Sequence, residues 1–220
     1  MSTHFAAWSG DYEVLQAQIR LGLEVSKPDK YGWTPLHLAV WNMHTEFVTL
    51  LLSSQAMTRW RRVRPRYIDA LSWDGWSALH LCAWNNDTNL VEILIQANAN
   101  VSVRDVRRWT PIHWAAANNG AGVIGLLIKA GASHSTLAIS GTVAMHLAVE
   151  YGHVKVIETL SNVSEGQVGA IFALKMAGAA ISAIDPHERW DVILIQALKG
   201  LGITPLHRAA RYGTGRQSAP

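Results

Sequence analysis

Cysteine is almost missing from this chain of 220 residues. Cys82 stands alone, which excludes an intramolecular disulfide framework and fits a reducing compartment. The opening Met1-Ser2-Thr3-His4 has neither the basic start nor the apolar run of a secretory leader. Long apolar runs are scarce as well. The most membrane-like stretch, Val168 to Ile184, is 17 residues with Lys175 inside, and it reads as a buried helix. These absences lead to the expectation of an intracellular protein, cytoplasmic or nuclear, without a membrane partner. No phosphate-cradling glycine loop or nucleophile elbow occurs. Nothing therefore assigns a catalytic residue or a cofactor, and enzymatic activity stays open.

Excess charge is also small. A net +3 excludes a generally basic surface, but the cations are unevenly spread. Of thirteen arginines, five fall at Arg59, Arg61, Arg62, Arg64 and Arg66, and three more at Arg104, Arg107 and Arg108.

What the chain has in abundance is repetition. A histidine in one local setting recurs at His4, His37, His80, His113, His146 and His207, with steps of 33, 43, 33, 33 and 61 residues. Its surroundings recur too: Thr34-Pro35-Leu36-His37-Leu38-Ala39, Ser77-Ala78-Leu79-His80-Leu81-Cys82, Thr110-Pro111-Ile112-His113-Trp114-Ala115, Val143-Ala144-Met145-His146-Leu147-Ala148 and Thr204-Pro205-Leu206-His207. Ten residues after the histidine a second apolar run begins, at Val14, Phe47, Leu90, Val123 and Val156. A fixed period of this size is the signature of stacked repeats. The pattern resembles the ankyrin repeat, well over residues 1 to about 160 and again at 199 to 213.

The resemblance implies an all-α solenoid of helix-turn-helix repeats with hairpin fingers, without a central core. The expected division is an N-terminal cap at 1–28, repeats at 29–71, 72–104 and 105–137, a divergent repeat at 138–198 and a partial repeat at 199–220. In the cap, Asp11, Glu13, Gln16, Gln18 and Arg20 are expected to form a polar outer face. The extra ten residues of the 43-residue step are placed near Met57 to Arg66, in a surface loop, which tolerates insertion at small entropic cost. The segment from 161 to 198 reads either as an insertion or as a degenerate repeat. Asp29-Lys30-Tyr31-Gly32 and Asp74-Gly75 mark finger turns. At Arg107-Arg108 the glycine is lost, so that finger is expected to be strained or reshaped.

Tryptophan falls in two columns. Trp8, Trp41 and Trp84 lie four residues after the repeat histidine, and Trp33, Trp76 and Trp109 lie four before it. The resemblance implies that the first set faces the concave groove and the second sits on the fingers, where family members contact partners. Successive helices pack about 8–10 Å apart, so the rings are expected to be too widely spaced to stack, leaving gaps for a partner. Clustered exposed aromatics mark recognition sites. The alternative for Trp33, Trp76 and Trp109 is half-buried packing against their own neighbours. Asn42, Asn85 and Asn118 stand beside the first column and are expected to offer amide hydrogen bonds, whereas Trp114 takes a leucine-type site and is expected in the core.

Arg61, Arg62, Arg64, Arg107 and Arg108, with Trp60 and Tyr67 interleaved, form the expected electrostatic patch. An acidic protein segment suits it. Nucleic acid or phosphate held through charge and stacking is the alternative, against which stand the modest net charge and the lack of a nucleic-acid motif. A metal site built from the histidine column fails on distance, since zinc needs nitrogens at about 2.0–2.1 Å and the repeats are about 8–10 Å apart. The resemblance gives these histidines a bracing role at the helix start. Asp185, Glu188 and Asp191 are carboxylates grouped outside the repeat pattern. The reading reached from the sequence is a protein-binding adaptor. Its alternative is a small-molecule binder or atypical enzyme that holds a flat polycyclic compound between the tryptophans, in a pocket of about 300–1,000 Å³.

Overall fold

Thr34-Pro35-Leu36-His37 starts a helix for reasons visible in its side chains. The Thr34 hydroxyl accepts the His37 N–H at 3.4 Å, and His37 Nδ1 accepts the Thr34 N–H at 3.1 Å. Histidine here takes the part that Glu or Gln plays in a capping box. Pro35, at the first helical position, has its φ preset and no N–H to lose. Ser77 with His80 and Thr110 with His113 repeat the arrangement. Because Nδ1 accepts, the neutral ring carries its hydrogen on Nε2, which donates into the next repeat. His37 reaches Trp76 O at 2.9 Å, His80 reaches Trp109 O at 3.0 Å and His113 reaches Thr142 O at 3.3 Å. His4 Nε2 stands 3.2 Å from Trp33 O. The repeat histidine is thus both a helix cap and a rivet between layers.

The computed structural model describes residues 2–53 and 67–163. Among them are ten α-helices in five pairs: α1 (Thr3–Ser9) with α2 (Tyr12–Leu21), α3 (Pro35–Trp41) with α4 (Thr45–Leu52), α5 (Ala78–Asn85) with α6 (Thr88–Gln96), α7 (Pro111–Ala117) with α8 (Ala121–Lys129), and α9 (Ala144–Glu150) with α10 (Val154–Val163). A short 3-10 turn, Tyr67–Asp69, precedes the third pair. The arginine insertion from Arg59 to Arg66, the segment from 164 to 198, the apolar run Val168 to Ile184 and the partial repeat around His207 lie outside the described residues.

Within each pair the turn contains one left-handed residue: Gly10, Met43, Asn86, Asn119 or Gly152. The first helices bury small side chains, such as Ala39 with Val40, Cys82 with Ala83 and Ala115 with Ala116, while the second helices bury Leu15, Phe47, Leu51, Leu90, Leu94, Ile124 and Leu127. Alanine lets backbones approach, so the first helices pack on one another more closely than the second ones do. That asymmetry bends the stack and puts the first helices on its inner side. Each fully buried leucine or isoleucine contributes about 1.5–3 kcal/mol by leaving water. In the first pair, Gln18 is buried rather than on a polar outer face, since α2 packs directly on α4, whereas Glu13 and Arg20 are exposed.

The fingers are narrow turns closed by the same bonds each time. Asp29 N–H donates to Trp33 O, Ser72 to Trp76 O, Asp105 to Trp109 O and Ala138 to Thr142 O, all at 2.8–2.9 Å. One further bond joins each finger to the next: Trp73 N to Tyr31 O at 3.1 Å, Val106 N to Asp74 O at 3.4 Å, and Ile139 N to Arg107 O at 3.1 Å. Losing glycine at the fourth repeat strains its finger but does not reshape it. Arg108 adopts φ 60° where Gly75 has φ 78°, and its N–H still donates to Asp105 O at 2.9 Å.

Candidate functional site

Trp8, Trp41 and Trp84 stand at the C-terminal ends of α1, α3 and α5, on the inner side of the stack. They remain 53%, 40% and 39% exposed, although each could have been buried at a profit in free energy. The finger indoles brace them. Trp33 and Trp76 are half-buried against the core and meet Trp41 and Trp84 edge-on, with ring centroids 5.9 Å and 5.7 Å apart. Edge-to-face geometry at this separation suits the aromatic quadrupole. It holds the outer ring in place while leaving a face to solvent.

The spacing expected from the period is corrected between the third and fourth repeats. There Trp114, only 6% exposed, fills the gap: its ring centroid lies 4.4 Å from that of Trp76, 5.1 Å from Trp84 and 4.6 Å from Trp109. A leucine at this place, as in Leu38 and Leu81, is too small to bridge. Its Nε1–H donates to Asp105 Oδ2 at 3.1 Å, and Asp105 Oδ1 accepts the N–H groups of Arg107 and Trp109. Four indoles and one buried carboxylate therefore form a single packed unit. No ring contact links Trp41 to Trp76 or Trp84 among the described aromatic pairs, so the second and third repeats contribute separate pairs of rings.

The asparagines beside this row already use an amide N–H on backbone: Asn42 on Leu38 O at 3.0 Å, Asn85 on Trp41 O at 3.3 Å and Asn118 on Trp114 O at 2.9 Å. They cap inner helices, which corrects the picture of side chains held wholly in reserve. Two histidines that carried no signal in the sequence do the same work. His44 Nε2 donates to Trp8 O and His153 Nε2 to Ala117 O, each at 3.0 Å, so a carbonyl at the end of one inner helix is satisfied by the following repeat.

Of the electrostatic patch, Arg107 and Arg108 are exposed on the fourth finger with Arg104 beside them, while Arg61, Arg62 and Arg64 lie outside the described residues. Tyr67 is not available for stacking. Its hydroxyl donates to Leu51 O at 2.7 Å, its ring packs against the core, and burial raises its pKa above the ordinary phenol value. Burial likewise raises the Cys82 thiol and lowers His37, His113 and His146, and it pushes His80 down to about 4. With one nitrogen accepting from backbone and the other donating to it, His37, His80 and His113 have no lone pair for a metal. Among the described residues no three His, Cys, Asp or Glu side chains are grouped to hold one. A shallow open groove of about 410 Å³ lies between α2 and α4, lined by Tyr12, Thr45, Glu46, Thr49, Leu50 and Ser53, with no tryptophan. No helix among the described residues is long and apolar enough to cross a membrane.

Paired helices stacked in register, with histidine rivets between layers and turns projecting from one edge, define a helical-repeat protein of the solenoid class. The family model for ankyrin repeats (3 copies) matches residues 3–105 and residues 80–170. The chain belongs to the ankyrin-repeat family, whose repeats are generally modules for binding other proteins. None of the curated proteins compared with the chain matches it.

Proposed function

We propose that this protein is a recognition module that holds a segment of a protein partner along the inner side of the stack. Trp8, Trp41 and Trp84 act as anchors, and Trp33, Trp76 and Trp109 act as the rigid bed beneath them. The observation that carries the reading is the exposure of three indoles at one repeat position while Trp114, nearby, is buried. Rigid aromatics lose little conformational freedom on binding and dominate interface energies. Because Trp33 and Trp76 already hold Trp41 and Trp84 edge-on, the row is organised before the partner arrives. Asn42, Asn85 and Asn118 retain their amide oxygens for polar contacts at the edge of the row.

A small flat ligand held between tryptophan walls is disfavoured by the same geometry. In the fourth repeat the space that such a compound needs is taken by Trp114, and the open groove of about 410 Å³ has no aromatic wall beyond Tyr12. The test is quantitative affinity capture with the wild-type chain and with Trp41→Ala/Trp84→Ala. Partners retained by the first are expected to be lost by the second at unchanged melting temperature. Equal retention by both chains refutes the groove.

A further inference from the structure

The most exposed tryptophan of the described residues belongs to neither column. Trp73 is 73% exposed and sits on the third repeat's finger. On three successive fingers a buried residue is flanked by two exposed ones: Ser72 by Leu71 and Trp73, Asp105 by Arg104 and Val106, Ala138 by Leu137 and Ile139. In extended backbone, residues two apart lie on the same side. The interfinger bonds from Val106 N to Asp74 O and from Ile139 N to Arg107 O keep the three fingers in register. The result is a patch two residues wide and three fingers long, made of five apolar side chains and Arg104. Tyr31 extends it at one end, edge-on to Trp73 with centroids 6.3 Å apart.

The charge of this face is one-sided. Arg104, Arg107 and Arg108 are exposed, and Asp74 is the exposed carboxylate of these turns. Asp105 is buried and fully engaged with Arg107 N, Trp109 N and Trp114 Nε1, so it does not offset them at the surface. Whatever covers the patch must bring apolar side chains in a row and a carboxylate opposite Arg104, the bidentate match of a guanidinium.

We propose that this face of the fingers binds an acidic amphipathic helix of a protein partner, with its apolar stripe on Leu71, Trp73, Val106, Leu137 and Ile139. Three fingers at about 8–10 Å spacing span about 20 Å, the length of about 14 helical residues at 1.5 Å each. A lipid surface fits less well. Burying the patch in a bilayer drags Arg104 below the headgroups, and Asp74 then faces an anionic surface. The proposal goes beyond the groove reading, uses different side chains, and fails separately from it.

A phage-displayed library of random 16-residue peptides, panned on the full chain, tests it. Trp73→Ser/Arg104→Ala serves as one counter-target and Trp41→Ala/Trp84→Ala as another. All four side chains are exposed, and matched melting curves confirm that the variants fold. The expected result is a set of peptides that are net acidic, carry apolar residues at helical spacing, and bind the wild-type chain about tenfold or more tighter than the Trp73→Ser/Arg104→Ala chain. They keep their affinity for the Trp41→Ala/Trp84→Ala chain. The proposal is overturned if no peptide distinguishes the wild type from the finger variant, or if the discriminating peptides are basic or uncharged. It is also overturned if phosphatidylserine vesicles, and not peptides, are what the finger variant ceases to bind.

Discussion

Acid should loosen this array in a pH range where carboxylates are still ionised, and His80 lets the size of the effect be worked out. Its ring is fully buried, with Nδ1 accepting Ser77 N–H and Nε2 donating to Trp109 O. A second proton would have to enter at Nδ1, where a backbone N–H already points. Desolvation therefore lowers its pKa from 6.5 to about 4, with His37 and His113 adding to the lowering while the Trp109 carbonyl and Asp105 oppose it. A lowered folded pKa means that the unfolded chain takes the proton first. Stability is thus unaffected above pH 6.5, falls as pH drops below it, and levels off near pH 4. At pH 5 the loss from His80 alone is about 2 kcal/mol, equivalent to roughly 4–8 °C in melting temperature for a chain of this size. His37 and His113 act in the same direction. Urea midpoints at pH 7.5 and pH 5 measure the total. His80→Gln, whose amide keeps an acceptor and a donor at the two ends of the side chain, should remove about 2 kcal/mol of the difference. Equal pH dependence in the two chains would refute the argument.

Three other substitutions probe the packing, each read as a urea midpoint. At Gly75 an added Cβ would lie 2.7 Å from Val106 N and 2.9 Å from Asp105 Cα. Gly75→Ala is therefore expected to cost about 2–4 kcal/mol in left-handed strain and collision, whereas Arg108→Gly relieves strain and stabilises by about 0.5 kcal/mol; similar costs at both sites would contradict the finger geometry. Trp114→Leu, the residue type of the equivalent Leu38 and Leu81, is expected to cost about 2–4 kcal/mol through the cavity it leaves, with Asp105 losing its indole donor. A loss below about 1 kcal/mol would mean that the indole cluster is not close-packed. Met43 is exposed at φ 57° in the turn position that Asn86 and Asn119 fill elsewhere. Met43→Asn should therefore gain about 0.5–1 kcal/mol, and a loss would show that the methionine makes contacts of its own.

The stacking of this fold was written in the chain because period and burial coincide. Pro35 with His37, and the apolar pairs ten residues on, can serve a buried role only when the helices they belong to repeat in register. The inner and finger tryptophans could be located for the same reason, as offsets from that histidine. What the period did not carry is everything that breaks it. Trp114 occupies a leucine position, and only side-chain volume in three dimensions shows that it spans the space between Trp76, Trp84 and Trp109. His44 and His153 bond across repeats to residues 36 positions earlier, a contact that no local spacing signals. The finger patch was illegible because Leu71, Trp73, Val106, Leu137 and Ile139 share a face only through turn geometry, and any one of them read alone passes for an ordinary apolar residue.

The central claim is that Trp8, Trp41 and Trp84 meet the partner while Trp114 does not. Fluorine NMR of the chain labelled with 5-fluorotryptophan, titrated with a partner obtained by affinity capture, tests this directly. The account predicts that the three inner-row resonances move and lose their H₂O/D₂O solvent shift on binding, while the Trp114 resonance keeps its free-state position. Inner-row resonances that stay where they were in the free chain, at saturating partner, would contradict it.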